Sequence, residues 1–164
     1  MGSPTTQKLS ASLEDYLEAI FNLAGEARGA RSKDIAATLG VARPSVTGAL
    51  QALKERGLAN YRPYGCVTLT PRGQTAAEEV VRKHNILTSF FVSVLGVDNE
   101  VAQQAACKAE HALGPEIIGR LLSFIEYVTA SQRNGHDLVG EFRQFHETHQ
   151  VNTSTGSARQ GEYR

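Results

Sequence analysis

The stretch RSKDIAATLGVARPSVTGALQALKERGL, residues 31–58, predicts two short helices joined by a tight turn. Ser32 is placed to cap the first helix, and Gly40 can end it in the left-handed conformation common at helix C-termini. Pro44 suits the first turn of the second helix, which Gly57 ends. One face of this second helix is apolar, through Val46, Leu50 and Leu53. This order and spacing predict a helix-turn-helix.

A two-stranded hairpin is predicted directly after these helices. The sequence LANYRPYGCVTLTPRG, residues 58–73, alternates in polarity on each side of a turn at residues 63–65. Such alternation around a Pro/Gly turn is typical of a β-hairpin. The next helix begins at Pro71. We interpret the hairpin as the wing of a winged helix-turn-helix.

The N-terminal segment predicts a further helix of the same domain. Apolar residues recur at three- and four-residue steps between Leu9 and Ala27, and Ser12 is placed as its N-cap. The fold class is therefore mainly α with a small β-wing. We expect the N-terminal winged helix-turn-helix domain to span residues 9–75.

A basic surface on this module favours double-stranded DNA as its partner. The whole chain of 164 residues has 17 Lys and Arg and 17 Asp and Glu, but residues 28–77 hold eight basic and two acidic side chains. This local excess suits the phosphate backbone, although a solvated basic face without a partner is the alternative. We expect DNA contacts from Arg31, Ser32, Arg43, Pro44, Ser45, Thr47, Gln51 and Arg62.

The second half of the chain predicts an all-helical domain over residues 76–150. One long helix runs to about Leu95, another spans about residues 99–113, and a third begins after Gly114 and Pro115. The third is apolar on two sides, which favours contact with a second copy in a homodimer; a fully buried helix in a monomer is the alternative. Residues 151–164 are polar, and we expect them to form a disordered tail.

A polar cluster near the end of the second of these helices suggests a metal site. Cys107, Glu110 and His111 have the i, i+3, i+4 spacing that places side chains on one helical face. Thiolate, carboxylate and imidazole are all ligands of first-row transition metals. Each candidate also has a structural interpretation, such as a cap partner for Asp15 or a core position for Cys107. Three helices together offer six candidate ligands: Asp15, Glu18, His84, Cys107, Glu110 and His111.

The order of these features resembles the family of the diphtheria toxin repressor and the manganese transport regulator (DtxR/MntR). The resemblance covers about residues 9–128, and it is carried by LSASLEDYLEAIFNL, PSVTGALQALKERGL, VTLTPRG, RKH and CKAEH. It implies a cytoplasmic homodimer that binds Fe(II) or Mn(II), then a palindromic operator, and represses metal-uptake genes. It also implies a helical metal-binding and dimerisation domain, in a two-domain form without room for an SH3-like third domain.

The resemblance implies a hybrid ligand set. Cys107 falls where iron-type members carry a cysteine and manganese-type members a carboxylate, whereas Glu18 falls where the manganese type has an acid and the iron type a methionine. Thr88 and Gln103 replace ligands of the iron-type ancillary site, so we do not expect that site. Besides Cys107, the resemblance implies that the metal ligands are Asp15, Glu18, His84, Glu110 and His111.

The thiol at Cys107 favours Fe(II) over Mn(II), while Zn(II) or Co(II) could occupy the site in vitro. A winged-helix repressor that senses oxidants through Cys107 is the alternative function. An enzyme is not expected, because the sequence has no Gly-rich phosphate loop and no convincing nucleophile–base pair. No apolar run reaches the roughly 18 residues of a membrane span, which favours a cytoplasmic location.

Overall fold

The computed structural model describes residues 9–24, 29–63 and 65–156. It divides into two compact units, unit 1 (Met1–Lys83) and unit 2 (His84–Arg164), at a boundary inside the fourth helix. The predicted mainly helical fold with a small β-wing is confirmed. The elements are α1 Ala11–Ala24, α2 Ser32–Leu39, α3 Arg43–Glu55, β1 Ala59–Asn60, β2 Thr68–Leu69, α4 Pro71–Ser89, a π-helical turn Phe90–Val94, α5 Asn99–Ala109, α6 Pro115–Arg133 and α7 Leu138–Gly156.

Helix α1 forms the centre of the unit 1 core. Its buried face carries Leu13, Leu17 and Ile20 at the helical spacing. The predicted N-cap Ser12 is wrong: Ser10 precedes the helix, and its side-chain oxygen accepts a hydrogen bond from the Leu13 amide at 3.4 Å. The helix therefore begins earlier, and Ser12 lies exposed within its first turn. Its predicted extension over residues 25–27 lies outside the described residues.

Helices α2 and α3 form the predicted helix-turn-helix. Gly40 ends α2 with a φ of +63°. This left-handed conformation has little steric cost for glycine, which has no Cβ. Pro44 lies in the first turn of α3, as expected. Ser32 is not a cap, because the helix begins at Ser32 itself and Arg31 occupies the cap position without a side-chain hydrogen bond. The predicted core residues of α3 are all fully buried: Val46, Leu50 and Leu53.

The wing is an antiparallel pair of two-residue strands. Ala59 of β1 pairs with Leu69 of β2. A bridge between Ala30 and Val67, with amide–carbonyl distances of 2.7 and 2.8 Å, extends the pairing toward the start of α2. Thr70 then connects the wing to α3 and α4. Its hydroxyl donates to the Gly57 carbonyl after the end of α3, and the same hydroxyl oxygen accepts a hydrogen bond from the Gly73 amide in the first turn of α4.

Unit 2 has its own small core, formed by Ile86 and Leu87 of α4 with Ala106 of α5 and Ile118 of α6. The long helix does not stay α-helical to Leu95: from Phe90 it widens into a π-helical turn. The guanidinium of Arg143 from α7 donates to the carbonyls of Val92 and Ser93 at this end, each at 3.2 Å. These bonds satisfy acceptors that a helix C-terminus leaves unpaired.

Helix α5 is shorter than predicted. It ends at Ala109, and the amides of Ala112 and Leu113 both donate to the Ala109 carbonyl, which tightens the chain ahead of Gly114 and Pro115. Glu110 is therefore the C-cap of α5 and His111 lies in the following turn.

Helix α7 reaches into the segment 151–164 that we expected to be disordered, through its last six residues up to Gly156. Once a helix has formed, each added residue gains one hydrogen bond, which permits a polar extension. Residues 157–164 lie outside the described part. The predicted domain boundary between residues 75 and 76 falls inside α4. None of the described helices combines the length and apolar character needed to cross a bilayer.

Candidate metal centre and nucleic-acid interface

Glu110 is the one fully buried charged side chain among the described residues, with 1% of its surface exposed. One carboxylate oxygen, Oε2, lies 2.7 Å from Nδ1 of His84, and the other, Oε1, lies 3.4 Å from Nε2 of His111. Three of the sequence-predicted ligands thus meet within unit 2. The carboxylate is flanked by imidazoles from α4 and from the turn after α5.

Cys107 lies on α5 one turn before this cluster, and its side chain is exposed. The interpretation of Cys107 as a small core residue is therefore wrong. The spacing of Cys107, Glu110 and His111 keeps the three near one another, although α5 ends at Ala109, because the backbone of Glu110 retains helical dihedral angles (φ −58°, ψ −32°).

A fourth polar side chain, which we did not predict as part of the site, contacts His84. Oε1 of Gln103 lies 2.6 Å from Nε2 of His84, the ring nitrogen opposite the one that faces Glu110. The signal in the sequence is a continuation of the polar face: residue 103 lies one turn before Cys107 and two turns before Glu110.

The two remaining candidate ligands, Asp15 and Glu18, lie on α1 of unit 1. They are one turn apart and half-buried. With Ser10 before the helix, the capping-box position falls on Leu13, so the cap interpretation of Asp15 is wrong. Tyr16, between them in sequence, has a raised pKa because it is buried and because the Asp15 carboxylate is close.

The unit 2 cluster fits a divalent transition metal. A buried carboxylate is costly unless a cation or hydrogen-bond donors compensate its charge. The imidazoles of His84 and His111 can compensate it only by donating protons, whereas a metal ion would be bound by the carboxylate and both rings at once. Carboxylate, imidazole and the neighbouring Cys107 thiol are the donor types that Mn(II), Fe(II), Co(II) and Zn(II) accept.

The predicted DNA-contacting residues all belong to unit 1, and most of them are exposed. Arg43, Pro44 and Ser45 are exposed at the start of α3, and Thr47 and Gln51 are exposed one and two turns later. Two of these polar side chains have partners within α3: the Thr47 hydroxyl donates to the Arg43 carbonyl, and the Gln51 amide donates to Glu55. Arg31 and Arg62 are exposed, and Ser32 is half-buried.

A cleft beside the wing adds to this basic region. It has a volume of about 780 Å³ and is lined by residues of the α3 C-terminus and the hairpin, including Lys54, Arg62 and Cys66. Cys66 is exposed there and is not one of the six candidate metal ligands. The wing and α3 therefore both present cations on the surface of unit 1, which is the charge pattern that nucleic-acid backbones attract.

Comparison with known protein families gives two adjoining matches. Residues 8–67 match the family described as "Iron dependent repressor, N-terminal DNA binding domain". Residues 70–137 match "Iron dependent repressor, metal binding and dimerisation domain". The junction at residues 67–70 contains β2 of the wing and directly precedes α4.

Related proteins carry regulator names. The chain is 39% identical over 119 residues to an uncharacterized helix-turn-helix transcriptional regulator of Methanocaldococcus jannaschii, covering 72% of this chain and 95% of that protein. It is 37% identical over 114 residues to the transcriptional regulator MntR of Salmonella typhimurium, covering 70% and 72%.

Among solved structures, a manganese-dependent transcriptional repressor in complex with manganese is similar, with a TM-score of 0.65 and 28% identity. The match covers 70% of this chain and 53% of that one. The chain thus spans about half the length of this structure. These similarities favour the metal-dependent regulator over the thiol-sensing alternative that we considered for Cys107.

Proposed function

Because the chain belongs to the DtxR/MntR family of metal-dependent transcriptional repressors, we propose that a divalent metal ion on its own ligand set switches its affinity for a palindromic operator. The observation that carries this proposal is the buried Glu110 carboxylate between the imidazoles of His84 and His111. The family consists of transcriptional regulators, which are not enzymes. We therefore propose that the site binds a metal ion for regulation and not for catalysis.

The proposed ligands of the metal are the six candidates named from the sequence: Asp15, Glu18, His84, Cys107, Glu110 and His111. The ion would neutralise the carboxylates and accept the imidazole lone pairs. Glu110 supplies the buried negative charge, and His84 and His111 fix their rings against it. The inclusion of Asp15 and Glu18 is supported by their shared face on α1 and by the family resemblance.

The identity of the metal is proposed from one residue. Among first-row ions, a thiolate such as that of Cys107 favours Fe(II) over Mn(II), so we propose Fe(II) as the preferred ion. The names of the relatives point the other way, since the Salmonella protein is called MntR and the similar solved structure is a manganese-dependent repressor. Mn(II) is therefore the second candidate, and Zn(II) or Co(II) could occupy the site in vitro.

The proposed DNA contacts follow from the exposed residues of unit 1. Arg43 at the start of α3 would reach a base edge or a phosphate, and Pro44 could contact a thymine methyl group. Ser45 and Thr47 would add short polar contacts. Gln51 would contribute little, because its amide already donates to Glu55. Arg31, Ser32 and Arg62 would bind the phosphate backbone, which positions the protein without reading sequence.

The proposed dimer uses the exposed apolar side chains of unit 2. Ile117, Phe124 and Tyr127 of α6 are 50%, 47% and 62% exposed, whereas Ile118 and Val128 of the same helix are buried. Because these side chains are exposed, the alternative in which α6 is fully buried in a monomer is wrong. Phe124 and Tyr127 also line an apolar cavity of about 350 Å³. A second copy that covers this face would place two recognition helices at the successive half-sites that a palindrome provides.

Metal and DNA binding would be coupled through the ligands. Asp15 and Glu18 belong to the unit that carries the recognition helix, and the other four ligands belong to the unit that carries α6. An ion bound by both sets would link the two units, and without it carboxylates brought together there would repel one another. Such coupling is reciprocal and typically contributes about 1–3 kcal/mol.

The test is operator binding under anaerobic conditions, with chelator and with Fe(II), Mn(II) or Zn(II). We expect metal-dependent binding to a palindromic promoter fragment that Cys107→Ala weakens, whereas Cys66→Ala, at the other exposed cysteine, should keep the difference between binding with metal and binding with chelator. Equally tight binding in chelator would contradict the metal switch. Binding that survives chelator but is lost with peroxide would support the thiol sensor instead.

A further inference from the structure

We propose that Gln103 is a positioning residue that fixes the ring of His84, so that Nδ1 and not Nε2 is the metal-binding nitrogen. The assignment rests on the proposed metal site. It follows from the two contacts of one imidazole: Nε2 lies 2.6 Å from Oε1 of Gln103, and Nδ1 lies 2.7 Å from Oε2 of Glu110. Gln103 and Glu110 therefore contact opposite ring nitrogens.

The chemistry of the imidazole ring decides which nitrogen carries the proton in this arrangement. A neutral imidazole has one N–H donor and one nitrogen lone pair. The Gln103 amide oxygen can only accept, so its contact places the proton on Nε2. The lone pair then lies on Nδ1, where it faces a carboxylate oxygen of Glu110. Two acceptor atoms 2.7 Å apart repel each other unless a proton or a metal ion binds to them, and in this tautomer Nδ1 of His84 and the Glu110 carboxylate would both be available as metal ligands.

The position of Gln103 on α5 suits this role. It precedes Cys107 by four residues and Glu110 by seven, so the three share one face of the helix. Histidines that bind metals usually donate their other ring N–H to an oxygen acceptor, which holds the tautomer and the ring orientation. Gln103 supplies that acceptor here, and it also closes Nε2 of His84 to a second ion.

The chain offers a matched control in Gln104. This exposed glutamine is the next residue on α5 and is rotated by about 100° from Gln103 on the helix surface. Gln103→Leu removes the acceptor at nearly constant size, and Gln103→Glu keeps an oxygen acceptor at the same reach. Gln104→Leu makes the same chemical change at the neighbouring position, which points in a different direction from the helix axis.

The experiment measures Zn(II) affinity of the full chain by competition with a chromophoric chelator, together with long-range ¹H–¹⁵N spectra of the histidine rings. Loss of an outer-shell partner typically lowers metal affinity by about 10–100-fold, and we expect this for Gln103→Leu. Gln103→Glu and Gln104→Leu should stay close to wild type. In the zinc form, His84 should show a coordinated Nδ1 and a protonated Nε2.

The outcomes separate this assignment from the proposed function. Zinc coordination through Nε2 of His84, or wild-type affinity in Gln103→Leu, would overturn the role of Gln103 while leaving the metal site in place. A wild-type chain that binds no zinc would overturn both. An affinity loss in Gln103→Leu that Gln104→Leu shares would also count against positioning, because it would show a general effect on α5. Thermal melts in chelator check that each variant folds.

Discussion

Replacement of Glu110 by glutamine should remove most of the metal response without unfolding the protein. The variant keeps the size of the side chain and removes its negative charge. In the absence of metal, the wild-type carboxylate is buried, and taking an anion out of water costs several kcal/mol before its contacts with the two imidazoles are counted. His84 and His111 keep 15% and 13% of their side-chain surface exposed, so solvent can reach both rings when the carboxylate is removed. The Glu110→Gln variant therefore buries a neutral amide in place of the carboxylate charge.

The expected magnitudes follow from linkage. Without metal, the variant should be as stable as the wild type or up to about 2 kcal/mol more stable. Metal at a hundred times its dissociation constant stabilises the wild type by about 2.7 kcal/mol, which for a chain of this size corresponds to about 5–10 °C in Tm. If the lost ligand lowers affinity by about 100-fold, the same metal concentration stabilises the variant by only about 0.4 kcal/mol, or roughly 1 °C.

Thermal unfolding followed by circular dichroism, in chelator and in Mn(II) or Zn(II), measures both effects. Glu116→Gln is the matched control, since Glu116 is a carboxylate on α6 that is 80% exposed and pairs with Arg120 on the surface. It should keep the full metal shift. A metal shift of wild-type size in Glu110→Gln would refute the reasoning. So would a large loss of stability in chelator, because Glu110 would then be structural.

Further substitutions test the two units separately. Gly73→Ala should destabilise the protein by about 2–3 kcal/mol in chemical denaturation, because a Cβ at this position overlaps the Leu58 carbonyl oxygen. Gly48→Ala should stabilise it by about 1 kcal/mol, because this exposed residue inside α3 has open space around a new Cβ; an unchanged midpoint of unfolding would contradict this. Arg43→Ala should weaken operator binding and reduce its salt slope by about one if the side chain contacts a phosphate, as filter binding at several salt concentrations would show. Tyr127→Lys, at a side chain 62% exposed on α6, should shift the protein toward monomer in analytical ultracentrifugation.

Much of the fold could be predicted because its signals are local. Gly40 and Pro44 mark the turn of the helix-turn-helix through backbone conformations that few other residues favour. The caps were harder to predict. Ser10 and Ser12 are equally good cap residues, and only the hydrogen-bond register of α1 decides between them. The same holds for Ser32, which lies one residue inside the helix that it was expected to cap.

The site was only partly predictable for a different reason. The spacing of Cys107, Glu110 and His111 is a helical repeat, so a single helix pattern brings them together. The contact between His84 and Gln103 joins residues 19 apart in sequence and depends on how α4 packs against α5. A side-chain amide has no distinctive pattern of its own on a polar helix face. Its role becomes apparent only once the imidazole is placed.

The location of Glu110 at a helix end shows why this site should respond to a cation. Glu110 is the C-cap of α5, where the unpaired carbonyls give the helix a partial negative charge. A carboxylate there is disfavoured by the helix dipole, and burial disfavours it further. Both effects are relieved by positive charge close to the carboxylate, whether protons shared with His84 and His111 or a divalent ion. A divalent ion would carry more charge than a shared proton and could bind both rings at once, so the electrostatic terms that disfavour the buried carboxylate would favour metal binding, as a metal switch requires.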